Sequence, residues 1–202
     1  MKLVMASVLI LFILLGCLQQ NENKDYFPLK VNSYWMYDTD ISGESGKQSG
    51  VVKFEITNTE IINGRENYVM TSYFNGVKSQ EEFYYRDGDK IMASKRILQN
   101  IVYELDPDQL FYDFGSQSWS WQGKISSMKC KSDGTLIGEE KITVPAGDFN
   151  TLKTKLVVTC DGSVATIYRW FADKVGAVKE ISTITSPIRL EVVGELKEYK
   201  IG

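Results

Sequence analysis

Val52-Lys53-Phe54-Glu55-Ile56-Thr57 sets an apolar side chain at every second position and a polar one between. Successive side chains leave a strand on opposite sides, so a period of two marks a strand with one dry and one wet face. The alternation recurs at Leu152, Leu156 and Val158 against Lys153, Lys155 and Thr159. It recurs again at Ile188, Leu190, Val192 and Leu196 against Arg189, Glu191 and Glu195. Between such runs stand Asn63-Gly64, Asn75-Gly76, Asp87-Gly88, Asp133-Gly134 and Asp161-Gly162, pairs that tolerate the positive φ of tight hairpin turns. Together they predict an all-β fold, an antiparallel up-and-down meander of about ten to twelve strands. A one-sided strand needs its apolar face covered, and the expected solution is a curved open barrel or half-barrel. The longest irregular stretch is expected at Leu105 to Ser118, where Pro107 disfavours a central strand.

The chain has 202 residues, of which 43% are hydrophobic, 24% charged and 12% aromatic, with only 4 prolines. That composition excludes a disordered or collagen-like chain. Histidine is absent, which removes Ser-His and Cys-His nucleophiles, a histidine general base and histidine-ligated metals. A formal charge of −3 offers no concentrated basic surface, so no nucleic-acid partner is expected.

At the N-terminus Lys2 precedes an apolar run, Leu3 to Leu15, interrupted only by Ser7. As a helix the run would rise about 20 Å, short of the roughly 30 Å hydrocarbon core of a bilayer. A positive start, a short apolar stretch and a small residue are the layout of a secretory signal. Residues 1–16 are therefore expected to be a cleaved signal peptide. The run closes on Leu14-Leu15-Gly16-Cys17, which resembles the lipobox of bacterial lipoproteins. That resemblance implies acylation of Cys17, a membrane partner through the lipid anchor, and a cell-envelope location, at the outer membrane in a diderm because Leu18 follows the cysteine. Residues 17–25 read as a polar tether of at most about 28 Å beyond the anchor. Residues 26–202 read as one β domain.

Within that domain the sequence matches itself at an offset of about 84. Phe27, Trp35 and Tyr37 align with Phe111, Trp119 and Trp121, and Tyr84 aligns with Tyr168. Asp89 to Ile97 aligns with Asp173 to Ile181, with five of nine residues identical. A duplicated unit of five or six strands is the expected cause, with related halves at about 26–105 and 110–202 sharing one core.

Three patches carry a further resemblance. Tyr26-Phe27-Pro28-Leu29 with Trp35 and Tyr37, Val144-Pro145-Ala146-Gly147-Asp148-Phe149, and Trp170-Phe171-Ala172-Asp173-Lys174-Val175-Gly176-Ala177-Val178-Lys179 resemble a group of bacterial secreted proteins and lipoproteins. The chain departs from the group at Asn32, where glycine is expected after Val31. In architecture the group is similar to the half-barrels of periplasmic lipoprotein carriers, a likeness of fold alone. It supplies no catalytic residue.

Cys130 and Cys160 are the other two cysteines, and outside the cytoplasm an even pair is a disulfide candidate. With the turns as read, however, they end strands that are next but one, about 9.5 Å apart, beyond the 4.4–6.8 Å between Cα atoms that a disulfide accepts. The bond stays open at this point. Asp87-Gly88-Asp89 and Asp106-Pro107-Asp108 read as turns, lacking the twelve-residue loop and closing glutamate of a calcium site. No cofactor, metal site or catalytic residue is expected. Ser72, Ser94 and Ser118 lack a nucleophile elbow, and no carboxylate pair stands out among 26 acidic residues. If the sheet is hollow, Trp35, Tyr37, Tyr84, Trp119, Trp121, Tyr168 and Trp170 are the candidates to line an apolar pocket of several hundred cubic ångströms. The expected function is non-enzymatic binding or carriage of a hydrophobic small molecule. The alternatives are a structural or interaction lipoprotein that docks an envelope protein and, more weakly, a carboxylate-dependent hydrolase.

Overall fold

The computed structural model describes residues 24–44, 46–185 and 189–202. The expected signal peptide, Cys17 and most of the tether lie outside these residues, as does Ile188. The described chain forms twelve strands: β1 (Ser33–Gly43), β2 (Gly46–Ile62), β3 (Arg65–Phe74), β4 (Val77–Asp87), β5 (Lys90–Leu98), β6 (Ile101–Asp113), β7 (Ser118–Ile125), β8 (Met128–Val144), β9 (Gly147–Cys160), β10 (Ser163–Ala172), β11 (Gly176–Ile184) and β12 (Leu190–Lys200). Each strand pairs antiparallel with the next, and β12 returns to β1. The meander is therefore a fully closed barrel. The open or half-open edge expected from sequence is replaced by the β1–β12 ladder, which runs from Tyr34–Lys200 to Gly43–Leu190. Closure satisfies the backbone groups that a free edge would leave unpaired.

Asn63-Gly64, Asn75-Gly76 and Asp161-Gly162 sit at their turns with positive φ at both residues. Asp87-Gly88 also turns, joining β4 to β5. Asp133-Gly134 does not. It lies within β8, a strand of 17 residues. Gly134 faces Trp119 across the β7–β8 ladder, and a Cβ there would stand 2.0 Å from the indole. This glycine makes room for a ring. Because β8 runs through unbroken, Cys130 and Cys160 are direct partners on adjacent strands. Their Cα atoms are 4.2 Å apart and their sulfurs bonded, which corrects the expected separation.

The stretch expected to be irregular is strand β6, which passes through Pro107. Pro107 lacks a ladder donor, and the structure spares it the need for one. Pairing of β5 with β6 is irregular between Ala93 and Lys95, and β6 pairs with β7 only at Leu105–Ile125 and Asp106–Lys124. Beyond that point two indoles close the seam: Trp119 Nε1 donates to the Phe111 carbonyl and Trp121 Nε1 to the Pro107 carbonyl, both at 3.2 Å. Asn32 adopts φ 68°, the left-handed region where glycine is at home and asparagine is tolerated.

Residues 25–32 fold across one end of the barrel. The Lys174 amide donates to the Asp25 carbonyl, and the Asp25 amide to Asp173 Oδ1. Arg86 Nη2 donates to Asp25 Oδ1 and to the Phe27 carbonyl. Phe27 packs on Tyr84, Tyr112 and Phe171 with ring centroids 5.4–6.5 Å apart.

Candidate functional site

Strand alternation divides the aromatic candidates between two faces. Arg169 and Phe171 of β10 line a cavity inside the barrel, so Tyr168 and Trp170 face outward. There Trp170 pairs across the ladders with Lys153 and Lys179. Lys153 Nζ lies 4.5 Å from a ring centroid of Trp170, and the indole N–H donates to Glu140 Oε1. Long basic side chains thus cover the indole on the outer wall. Tyr168 and Trp170 are no part of an internal pocket.

The other candidates point inward with two different outcomes. Trp119 and Trp121 of β7 fill the lumen on the side of β6 to β9, over Gly134 and beside Gly123, with Ile125, Cys130 and Leu156 buried around them. On the opposite side Trp35, Tyr37 and Tyr84 stand around an empty space of about 170 Å3. The cavity is smaller than the several hundred cubic ångströms expected, and Trp119 and Trp121 take up the interior beside it. Phe54, Met70, Phe111 and Phe171 complete its apolar wall, with Phe27 and Pro28 at the capped end. Trp35 Nε1 donates to the Val175 carbonyl and Tyr37 Oη to the Ala177 carbonyl, both at 2.6 Å. These bonds pin Trp35 to the β10–β11 turn and Tyr37 to the start of β11.

Sequence reasoning missed the polar part of this lumen. Glu82 and Arg96 are cross-strand partners on β4 and β5, and Arg169 and Glu180 are partners on β10 and β11. Arg96 Nε is 2.9 Å from Glu82 Oε1, an ion pair without an aligned N–H···O bond, while Arg96 Nη2 donates to Gln109 Oε1 at 2.9 Å. Arg169 donates from Nε to Glu180 Oε2 at 2.5 Å and from Nη1 to Tyr112 Oη at 2.6 Å. Glu82, Arg169 and Glu180 all border the cavity. Burial opposes the charge on Arg169, but Glu180 and Tyr112 more than offset it and hold the guanidinium well above its ordinary pKa. Burial pushes Tyr112 up to about 12 and raises Tyr84 and Tyr37 as well. All three phenols are neutral at physiological pH. The signal in the sequence was a charged residue at an inward position of the alternation, as at Glu82, Arg169 and Glu180.

Among the described residues no cluster of three or more metal-ligating side chains occurs. Asp108, from the second acidic triplet, accepts from Tyr85 Oη at 2.9 Å and from Arg65 Nη1 at 3.1 Å. No described helix is long and apolar enough to cross a membrane.

No protein-family model and no curated protein matches this chain. Among solved structures the fold is similar to that of a "putative lipoprotein" from Parabacteroides distasonis, with a TM-score of 0.51 and 13% identity over 88% of this chain and 99% of that one. A "putative exported protein with YmcC-like fold" from Bacteroides fragilis aligns with a TM-score of 0.49 and 11% identity over the same shares. At 13% identity the first likeness shows a shared fold.

Proposed function

We propose that this chain is an extracytoplasmic, lipid-anchored protein without enzymatic activity that binds a small hydrophobic molecule inside its barrel. One observation carries the binding reading: one side of the lumen is filled by tryptophans beside glycines, while on another side a hollow is walled by Trp35, Tyr37, Phe54, Met70, Tyr84 and Phe171. Protein interiors are ordinarily close-packed, and a pre-formed apolar hollow with a few polar groups is the usual form of a small-molecule site. Glu82 and Glu180 share the cavity, but each is ion-paired with an arginine. Neither is a free acid or base, and this favours the non-enzymatic reading over hydrolysis.

Gly194 supplies the test. It borders the hollow, and a Cβ there would meet Thr39 Oγ1 at 3.7 Å and Tyr37 Cβ at 3.9 Å, ordinary contact. Gly194→Leu should leave the barrel folded, fill the space and abolish uptake of apolar probes such as octanol in titration calorimetry. Probe binding that survives the substitution would remove the lumen from consideration. The anchor rests on the lipobox and the signal layout. Cys17→Ser should release the protein from the membrane fraction, and continued membrane association contradicts acylation.

A second reading has its own observation. At the tip of the β5–β6 hairpin Leu98, Ile101 and Val102 are 42%, 58% and 48% exposed, at the end of β5 remote from Asp25 and the tether. That position suits an apolar face on another envelope protein, held away from the anchoring membrane. Leu98→Lys with Ile101→Lys should abolish crosslinking to that partner in cells; undiminished crosslinking removes this reading.

A further inference from the structure

We infer that the ligand is an uncharged amphiphile, an apolar body the size of one ring or a short alkyl chain carrying one un-ionised hydroxyl or amide end. The inference rests on the lumen-binding reading above and adds the chemical class. Size comes first. The hollow measures about 170 Å3, and a buried apolar cavity of about 150 Å3 takes benzene. A diacyl lipid does not fit such a space.

The polar end is read from the groups that border the hollow. Arg169 and Glu180 keep 19% and 28% of their side-chain surface accessible and Glu82 keeps 13%, and all three line the hollow. For these cavity-lining groups the accessible surface faces the lumen. A guanidinium carries five N–H donors. Among the described residues Arg169 spends one on Glu180 and one on Tyr112, so donors remain beside the carboxylate oxygens of Glu82 and Glu180. A hydroxyl or amide, which both donates and accepts, completes that set. An alkane leaves it unanswered.

Charge then separates neutral heads from ionised ones. Glu82 is matched by Arg96 and Glu180 by Arg169, so the four side chains sum to zero. A carboxylate brought into this space meets a guanidinium already neutralised, with two carboxylates close by. An ammonium meets the reverse. Either leaves an uncompensated charge in a largely apolar enclosure, where desolvation is not repaid. A neutral head incurs no such cost.

Three probes with one tail test this: 1-octanol, octanoate and octylammonium, titrated calorimetrically into the full folded protein near neutral pH, with Gly194→Leu as the lumen control. Octanol should bind at least about tenfold more tightly than either ion, an advantage set by the unpaired charge, and Gly194→Leu should remove that binding. Glu82→Gln leaves the lumen one positive charge in excess and should narrow the gap between octanol and octanoate while widening that to octylammonium. Glu180→Gln serves the same purpose if the first variant folds poorly. Octanoate or octylammonium binding as tightly as octanol overturns the neutral-head inference and leaves the lumen reading standing. If no probe binds, or Gly194→Leu changes nothing, both are overturned.

Discussion

Two glycines of the same sheet border different contents of the lumen, one a ring and the other the hollow. Gly134 lies under Trp119, and the ring occupies the place of the missing side chain. Gly194 borders the hollow, and a Cβ there would make only ordinary contacts, at 3.7 Å and beyond. Gly134→Ala should therefore cost about 1–3 kcal/mol, the usual range for overpacking a filled core, because the indole must shift and strain its bond to the Phe111 carbonyl. Urea unfolding would register this as a lower midpoint with an unchanged slope; an unchanged midpoint would show that the ring has room to spare. Tyr112 gives a pH dependence at the same scale. Its pKa is raised by burial to about 12, with Tyr84 and Tyr37 raised in the same direction. A folded pKa above the unfolded value near 10 means that the stabilisation is complete below pH 10 and is lost as pH rises through about 12. For Tyr112 alone this is about 2–3 kcal/mol. The urea midpoint should fall between pH 10 and 12, and fall less in Tyr112→Phe. A flat profile over that window would contradict the burial of these phenols.

Among the elements, the β8–β9 hairpin is the longest, registered from Val144–Gly147 at its turn to Cys130–Cys160 at its far end. The disulfide joins residues 30 apart, and closing a loop of that length is worth about 3–4 kcal/mol in the chain-entropy view. Replacing both cysteines with serine should lower stability by about 2–4 kcal/mol and speed amide exchange at Lys131 and Thr159. A loss under half that size would mean that the ladder holds the hairpin end without help. The β6–β7 seam is the opposite case, two paired positions and then indole N–H bonds, so amides from Pro107 to Asp113 should exchange earlier than those of β8 and β9.

The elements also mark what the sequence could carry. Alternation and hairpin turns were legible because both are local: Val52, Phe54 and Ile56 needed no knowledge of their neighbours. Asp133-Gly134 misled because a glycine that seats a tryptophan has the same letters as one that turns the chain. Pro107 misled because its ladder partner is absent, which only the β6–β7 pairing reveals. The motifs Tyr26-Phe27-Pro28-Leu29 and Asp173-Lys174-Val175 bear on architecture. They meet at the capped end through Asp25–Lys174 and Trp35–Val175 bonds. The face of each candidate aromatic depended on a one-residue register that sequence leaves free. Tyr84 and Tyr168, aligned at the repeat offset, lie on opposite faces of the wall, the first inside and the second outside.

For the whole molecule, closure and capping fix a direction. The N-terminal segment covers the end of the barrel that carries the β4–β5 and β10–β11 turns, through Asp25, Arg86 and Lys174. The β5–β6 tip stands at the other end, nine strand residues away along β5, or about 30 Å. On the proposed anchoring at Cys17, a tether of at most about 28 Å holds the capped end toward the membrane and leaves the β5–β6 tip toward the aqueous space. Single cysteines at Lys174 and Ile101, labelled with a fluorophore in the acylated protein on vesicles, distinguish the two ends. Nitroxide-labelled lipid headgroups should quench the dye in Lys174→Cys and spare the dye in Ile101→Cys. Equal quenching would mean that the barrel lies on its side, and the reverse order would place the β5–β6 end against the membrane.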